Sequence, residues 1–68
     1  MIEVRLGLRL HKLRGDRDWS LIRLAEISGV DRRTIARYER GVKHPSLDTL
    51  DALAAHLGLT LAELFTGV

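Results

Sequence analysis

There is no cysteine in this chain of 68 residues. That excludes a disulfide framework, a thiol nucleophile and a cysteine-ligated zinc site. Aromatic side chains are scarce, only Trp19, Tyr38 and Phe65, so leucine must do most of the packing. No run approaches the roughly 18 apolar residues of a membrane span. The first ten residues are broken by Glu3, Arg5 and Arg9, which is not the pattern of a signal peptide. These absences predict a soluble, cytoplasmic protein with no membrane partner. Basic residues are also missing from one part of the chain, since none follows Lys43.

Signs of catalysis are equally thin. His11, His44 and His56 fall on different predicted elements, and no two have ligand spacing on one helix, so no metal site is expected. Asp48 and Asp51 lie one turn apart, but acids at a helix start complement its dipole and need no catalytic role. No glycine-rich phosphate loop occurs. We expect a non-enzyme with no cofactor and no small-molecule ligand.

What remains is rich in leucine, alanine, arginine and glutamate, residues that favour helix. The length allows one small domain, residues 1–68. Residues 1–43 hold eleven basic and six acidic side chains, a net of +5. Residues 44–68 hold no basic and three acidic ones (Asp48, Asp51, Glu63), a net of −3. A basic part beside an acidic part suggests one face for a polyanion.

Five helices can be read from caps and stops. The first spans about Ile2 to Arg14, with Leu6, Leu10 and Leu13 on its inner face and Gly15 as its stop. Ser20 caps the second, Trp19 and Leu24 have hydrophobic-staple spacing, and Gly29 ends it. Asp31 caps the third, in which Val30, Ile35 and Tyr38 face inward and Arg32, Arg33, Ala36, Arg37 and Arg40 face outward. Gly41 stops it. Ser46 caps the fourth, with Leu47, Leu50, Leu53, Ala54 and Leu57 as its apolar side and Gly58 as its stop. Thr60 and Glu63 have capping-box spacing for a short fifth helix.

Residues 20–41 therefore form two short helices joined by a tight turn, the second strongly basic. That is the physical description of a helix-turn-helix that docks in a DNA major groove. Arginine there can donate two hydrogen bonds to guanine, so guanine-containing half-sites are expected.

The ordered elements Leu13-Arg14, Leu24-Ala25, Gly29-Val30, Thr34-Ile35, Glu39-Arg40-Gly41, Pro45-Ser46-Leu47, Leu57-Gly58-Leu59 and Leu64-Phe65 resemble the phage-repressor-type (Cro/C1, Xre-like) helix-turn-helix regulators. The resemblance implies an all-α, five-helix, lambda-repressor-like domain. It implies an Arg14–Glu39 pair tying the first helix to the third, with Ala25 and Gly29 structural. It places base contacts at Arg32, Arg33, Thr34 and Arg37. Phosphate contacts are expected at Ser20, Arg23, Asp31, Arg40, Lys43 and His44. Relatives of this type often carry glutamine where this chain has Leu21, so Arg17 and Arg23 are expected to supply charge nearby. The implied function is sequence-specific binding of double-stranded DNA, as a homodimer on a palindromic operator, in a small regulator that represses. Leu61 and Val68 look surplus to the core and are expected at the dimer contact. The alternative is a protein-interaction module, such as the antitoxin of a toxin–antitoxin pair, using the acidic C-terminal part.

Overall fold

The helix starts are set by side chains that take up backbone N–H groups left free in the first turn. In the computed structural model, which describes all 68 residues, Ser20 Oγ accepts from the Arg23 N–H at 3.0 Å. Asp31 Oδ2 accepts from Arg33 and Thr34, and Ser46 Oγ from Thr49. Thr60 and Glu63 close a reciprocal capping box, each side chain accepting the other's N–H. These caps begin α2 (Leu21–Ser28), α3 (Arg32–Arg40), α4 (Leu47–His56) and α5 (Leu61–Leu64), which follow α1 (Ile2–Asp16). There are five helices and no strand.

Two ends follow from glycine. Gly29 and Gly41 both sit at φ 74°, the left-handed conformation that closes a helix without a Cβ penalty. The end of α1 differs from expectation. Gly15 lies inside the helix, which continues to Asp16. The chain reverses instead at Asp18, at φ 55°, a conformation that aspartate tolerates better than most residues. The Arg17 and Trp19 N–H groups both return to the Arg14 carbonyl, and the Asp18 N–H to that of Gly15.

The core is leucine, as the shortage of aromatics requires. Leu6, Leu10 and Leu13 of α1 meet Tyr38 of α3, Leu50, Leu53 and Ala54 of α4, then Leu57 and Leu64. Leu24 and Ile35 are buried on α2 and α3. Each such side chain contributes about 1.5–3 kcal/mol through its removal from water. Trp19, Val30, Leu59 and Phe65 pack partly against this cluster.

Three expectations about apolar residues need correction. Leu47 is 69% exposed and does not belong to the apolar side of α4. It occupies the first helical position, beyond the part of α4 that the other helices cover. Leu61 and Val68 are not surplus. Both are part-buried against the main cluster, because α5 folds back over α4 and the chain end follows it.

α1 packs on α3, and α2 lies against both α3 and α4. The α1–α3 approach is set by Gly7. A Cβ there would lie 2.5 Å from the Tyr38 carbonyl oxygen and 2.6 Å from that of Glu39. Only glycine lets the two backbones come this close.

Candidate nucleic-acid interface

The third helix has three distinct faces, separated by its 100° step. Ile35 and Tyr38 point into the core. Arg33, Arg37 and Arg40, at spacings of four and three, share a second face, and all three are exposed. Arg32, Ala36 and Glu39 share a third, turned toward the start of α2.

Glu39 anchors that third face. Arg14 reaches it in a two-pronged pair, with Nε 2.8 Å from Oε2 and Nη2 3.0 Å from Oε1. Arg14 Nη1 also donates to the Trp19 carbonyl at 2.7 Å. One guanidinium thus holds the end of α1, the entry to α2 and the end of α3 together. His11 Nδ1 lies 3.1 Å from Glu39 Oε1, and a carboxylate can only accept, so the ring nitrogen donates. Burial pushes the Glu39 carboxyl up. The hydrogen bonds from Arg14 and His11, with their charges, outweigh that and leave it below its usual range. The Arg14 guanidinium is pushed up, chiefly by its hydrogen bond to Glu39.

The outward arginines contrast with this. Arg32, Arg33, Arg37 and Arg40 make no side-chain hydrogen bond or ion pair within the chain, and neither do Arg23 and Lys43. Lys43 and His44 are exposed in the loop after α3. Thr34 is half-buried on the first turn of α3. At the start of α2, Ser20 takes only the Arg23 N–H, so the N–H groups of Leu21 and Ile22 have no acceptor in the protein. The helix dipole adds to their pull on an anion. Four unpaired guanidinium groups, an open helix start and a basic loop make a surface suited to a polyanion.

The structure redraws two of the phosphate-facing expectations. Asp31 is committed as the cap of α3, and its negative charge would repel a phosphate. Arg17 is committed elsewhere: Nη1 donates to the Leu13 carbonyl at 2.8 Å and Nη2 to the Leu57 carbonyl at 2.6 Å. Its guanidinium also lies 5.9 Å from the centre of the Trp19 ring. Ala25 is half-buried and lines a shallow cleft with Ile22, Gly29 and Arg32 between α2 and α3. Gly7, by contrast, is not marked by any local pattern in the sequence. A lone glycine in a helical run gives no local sign that another backbone rests on it.

Known proteins share this architecture. The family model described as helix-turn-helix matches residues 10–64. The control protein C.MunI of a Mycoplasma species is 37% identical over 68 residues, covering 98% of this chain and 92% of C.MunI. The transcriptional regulator AnsR of Bacillus subtilis is 41% identical over 82% of this chain but only 48% of AnsR. The phage repressor RstR of Vibrio cholerae is 36% identical over 82% of this chain and 50% of RstR. The chain thus spans about half the length of the latter two regulators. The crystal structure of the restriction-modification controller protein C.AhdI from Aeromonas hydrophila superimposes with a TM-score of 0.88 at 38% identity. It covers 93% of this chain and 96% of C.AhdI.

Proposed function

The chain belongs to the helix-turn-helix family of DNA-binding regulators, and from that membership we propose that it represses transcription by binding an operator in double-stranded DNA. The observation that carries this reading is the set of unpaired arginines on a helix held by its core face and by Glu39. α3 is anchored by its core residues and by Glu39, so the Arg33–Arg37–Arg40 face is held in one orientation.

In the proposed complex, α3 enters the major groove. Arg33 and Arg37 read base edges, with guanine as the expected partner because a guanidinium matches its O6 and N7 acceptors. Arg32 and Thr34 sit at the N-terminal end of the same helix, where base contacts concentrate. Arg23, Arg40, Lys43 and His44 contact phosphates, as do Ser20 and the open start of α2. Leu21 offers no polar group there, so the backbone N–H groups serve as the anchor. A homodimer would present two such helices about 34 Å apart and read a palindrome. The relatives named above are regulators, controllers or repressors, and nothing in the fold favours the antitoxin alternative.

Selection of bound duplexes from a random pool tests this reading. The expected result is a guanine-containing, two-fold symmetric consensus whose affinity falls steeply with salt. A pool that returns no consensus, or binding indifferent to salt, would overturn it.

A further inference from the structure

Two shallow clefts open where α2 meets α3. One is lined by Arg14, Ser20, Leu21, Ile22, Arg32, Arg33 and Ala36. The other, on the far side of Ile22, carries Glu26 and Asp31 beside Ala25, Gly29, Val30 and Arg32, so the unpaired cations gather on the first cleft. Ile22 and Arg32 are common to both, so they form the ridge between them. Ile22 is 52% exposed, although the unpaired Arg32 and Arg33 share its first cleft. An isoleucine there contributes little to the core and gives nothing to a phosphate.

The surroundings restrict what could cover it. Arg32 and Arg33 on the cleft wall are unpaired, and the Leu21 and Ile22 N–H groups are open. An apolar protein segment placed here would leave two guanidinium groups and two N–H donors without partners. The occupant must supply anions at the edge and an apolar knob at the centre. On the major-groove face of DNA, phosphates flank the bases and the C5 methyl of thymine is the apolar group presented.

Building on the operator-binding reading, we propose that the notch formed by Leu21, Ile22 and Ala36 receives the C5 methyl of a thymine beside the guanine engaged by Arg33. Ile22 is then a specificity-determining residue on α2, outside the recognition helix. The half-site has two read elements: a guanine recognised by hydrogen bonding and a thymine recognised by shape.

The test uses the consensus duplex from random selection and removes one methyl at a time by replacing each thymine with uracil. Hydrogen bonding is unchanged by that replacement. At one position per half-site the wild-type chain should lose roughly 3- to 10-fold in affinity, the scale of one buried methyl. The same replacement should cost Ile22→Ala less than about 2-fold. Ile22 is half exposed, so the variant should fold, and its helical circular dichroism checks that. If it does not fold, a wild-type series with no uracil penalty still overturns the proposal. If a consensus appears but no uracil weakens the wild type, or if the uracil penalty is equal in both proteins, the notch does not read thymine. A loss in Ile22→Ala without uracil sensitivity marks a sugar contact and also overturns the proposal. If no consensus appears at all, the operator-binding reading fails and takes this inference with it.

Discussion

Basic side chains on α1 and on α3 are employed in opposite ways. Along α1 and its exit, Arg9, Lys12, Arg14 and Arg17 are bonded within the chain, and Arg5 alone is not. Arg9 donates to the Glu63 and Leu64 carbonyls at the end of α5. Arg17 does the same for Leu57 after α4. Both close helix ends whose orphan carbonyls favour a cation. Lys12 pairs with Asp16 on the surface, and Arg14 with Glu39. On α3, none of the four arginines has a partner. Arg9, Arg14 and Arg17 thus hold separate helices together, Lys12 pairs within α1, and the arginines of α3 are offered outward. Net charge alone does not make that division.

The sharpest way to break the comparison is to exchange the consequences. Arg14→Ala should leave the Glu39 carboxylate, 8% exposed, without its main partner. Hydrogen bonds to charged groups are worth about 1.5–3 kcal/mol each, and an unmatched buried charge adds to the loss. We expect destabilisation of about 3 kcal/mol and a drop in Tm of more than about 10 °C, read by thermal circular dichroism. Arg33→Ala should change stability by less than about 0.5 kcal/mol. Equal losses of stability in the two variants would erase the distinction.

Next in size is the backbone contact that sets α3 on α1. Gly7→Ala would push a methyl into the Tyr38 and Glu39 carbonyls, and backbone cannot yield as a flexible side chain can. Overpacking of this kind costs about 1–3 kcal/mol. Urea denaturation measures it. A Gly7→Ala variant as stable as the wild type would mean that the helices can separate slightly without penalty.

The outward set is sharpened by splitting it. Arg33→Ala and Arg37→Ala should each relax discrimination at one base pair by roughly 1–3 kcal/mol. Lys43→Ala should weaken all duplexes alike and reduce the salt slope by about one. Competition between consensus and random duplexes at several salt concentrations separates the two. Equal loss on both duplexes for Arg33→Ala would falsify its base-reading role.

Legibility in the sequence follows the same division. The local signals held, since a cap acts within three residues of itself. Ser20, Asp31, Ser46 and Thr60 all cap where they stand in the chain. The leucine core followed from periodicity. The Arg14–Glu39 pair, 25 residues apart, was implied by family resemblance and had no local signal. Arg9 and Arg17 bond carbonyls 54, 55 and 40 residues away, and neither local pattern nor resemblance marked them. Gly7 was silent for the same reason. Gly15 misled because a glycine near a helix end resembles a stop, whereas α1 runs on through it to Asp16. The outward arginines were legible as exposed cations, because the helical period that buries Ile35 and Tyr38 turns Arg33 and Arg37 away.

The smallest expected effect separates the two sets by pH. The outward set of α3 consists of guanidinium groups with no carboxylate among them. The joint between α1 and α3 is different, because Glu39 has a carboxyl depressed from its ordinary value of 4.5. A group whose folded value is lowered contributes stability above its unfolded value. That contribution is lost as pH falls through the folded one. Stability should therefore decline from about pH 5 downward. Glu63 contributes in the same window through its bonds to Thr60, so the wild-type curve alone does not isolate the joint. Glu39→Gln does: it lowers stability at neutral pH and makes the decline below about pH 5 shallower, as read by urea unfolding across a pH series. Parallel curves for the two proteins would mean that Glu39 carries no differential proton binding. The α1–α3 joint would then owe its hold to the close approach at Gly7 and the leucine contacts, not to charge.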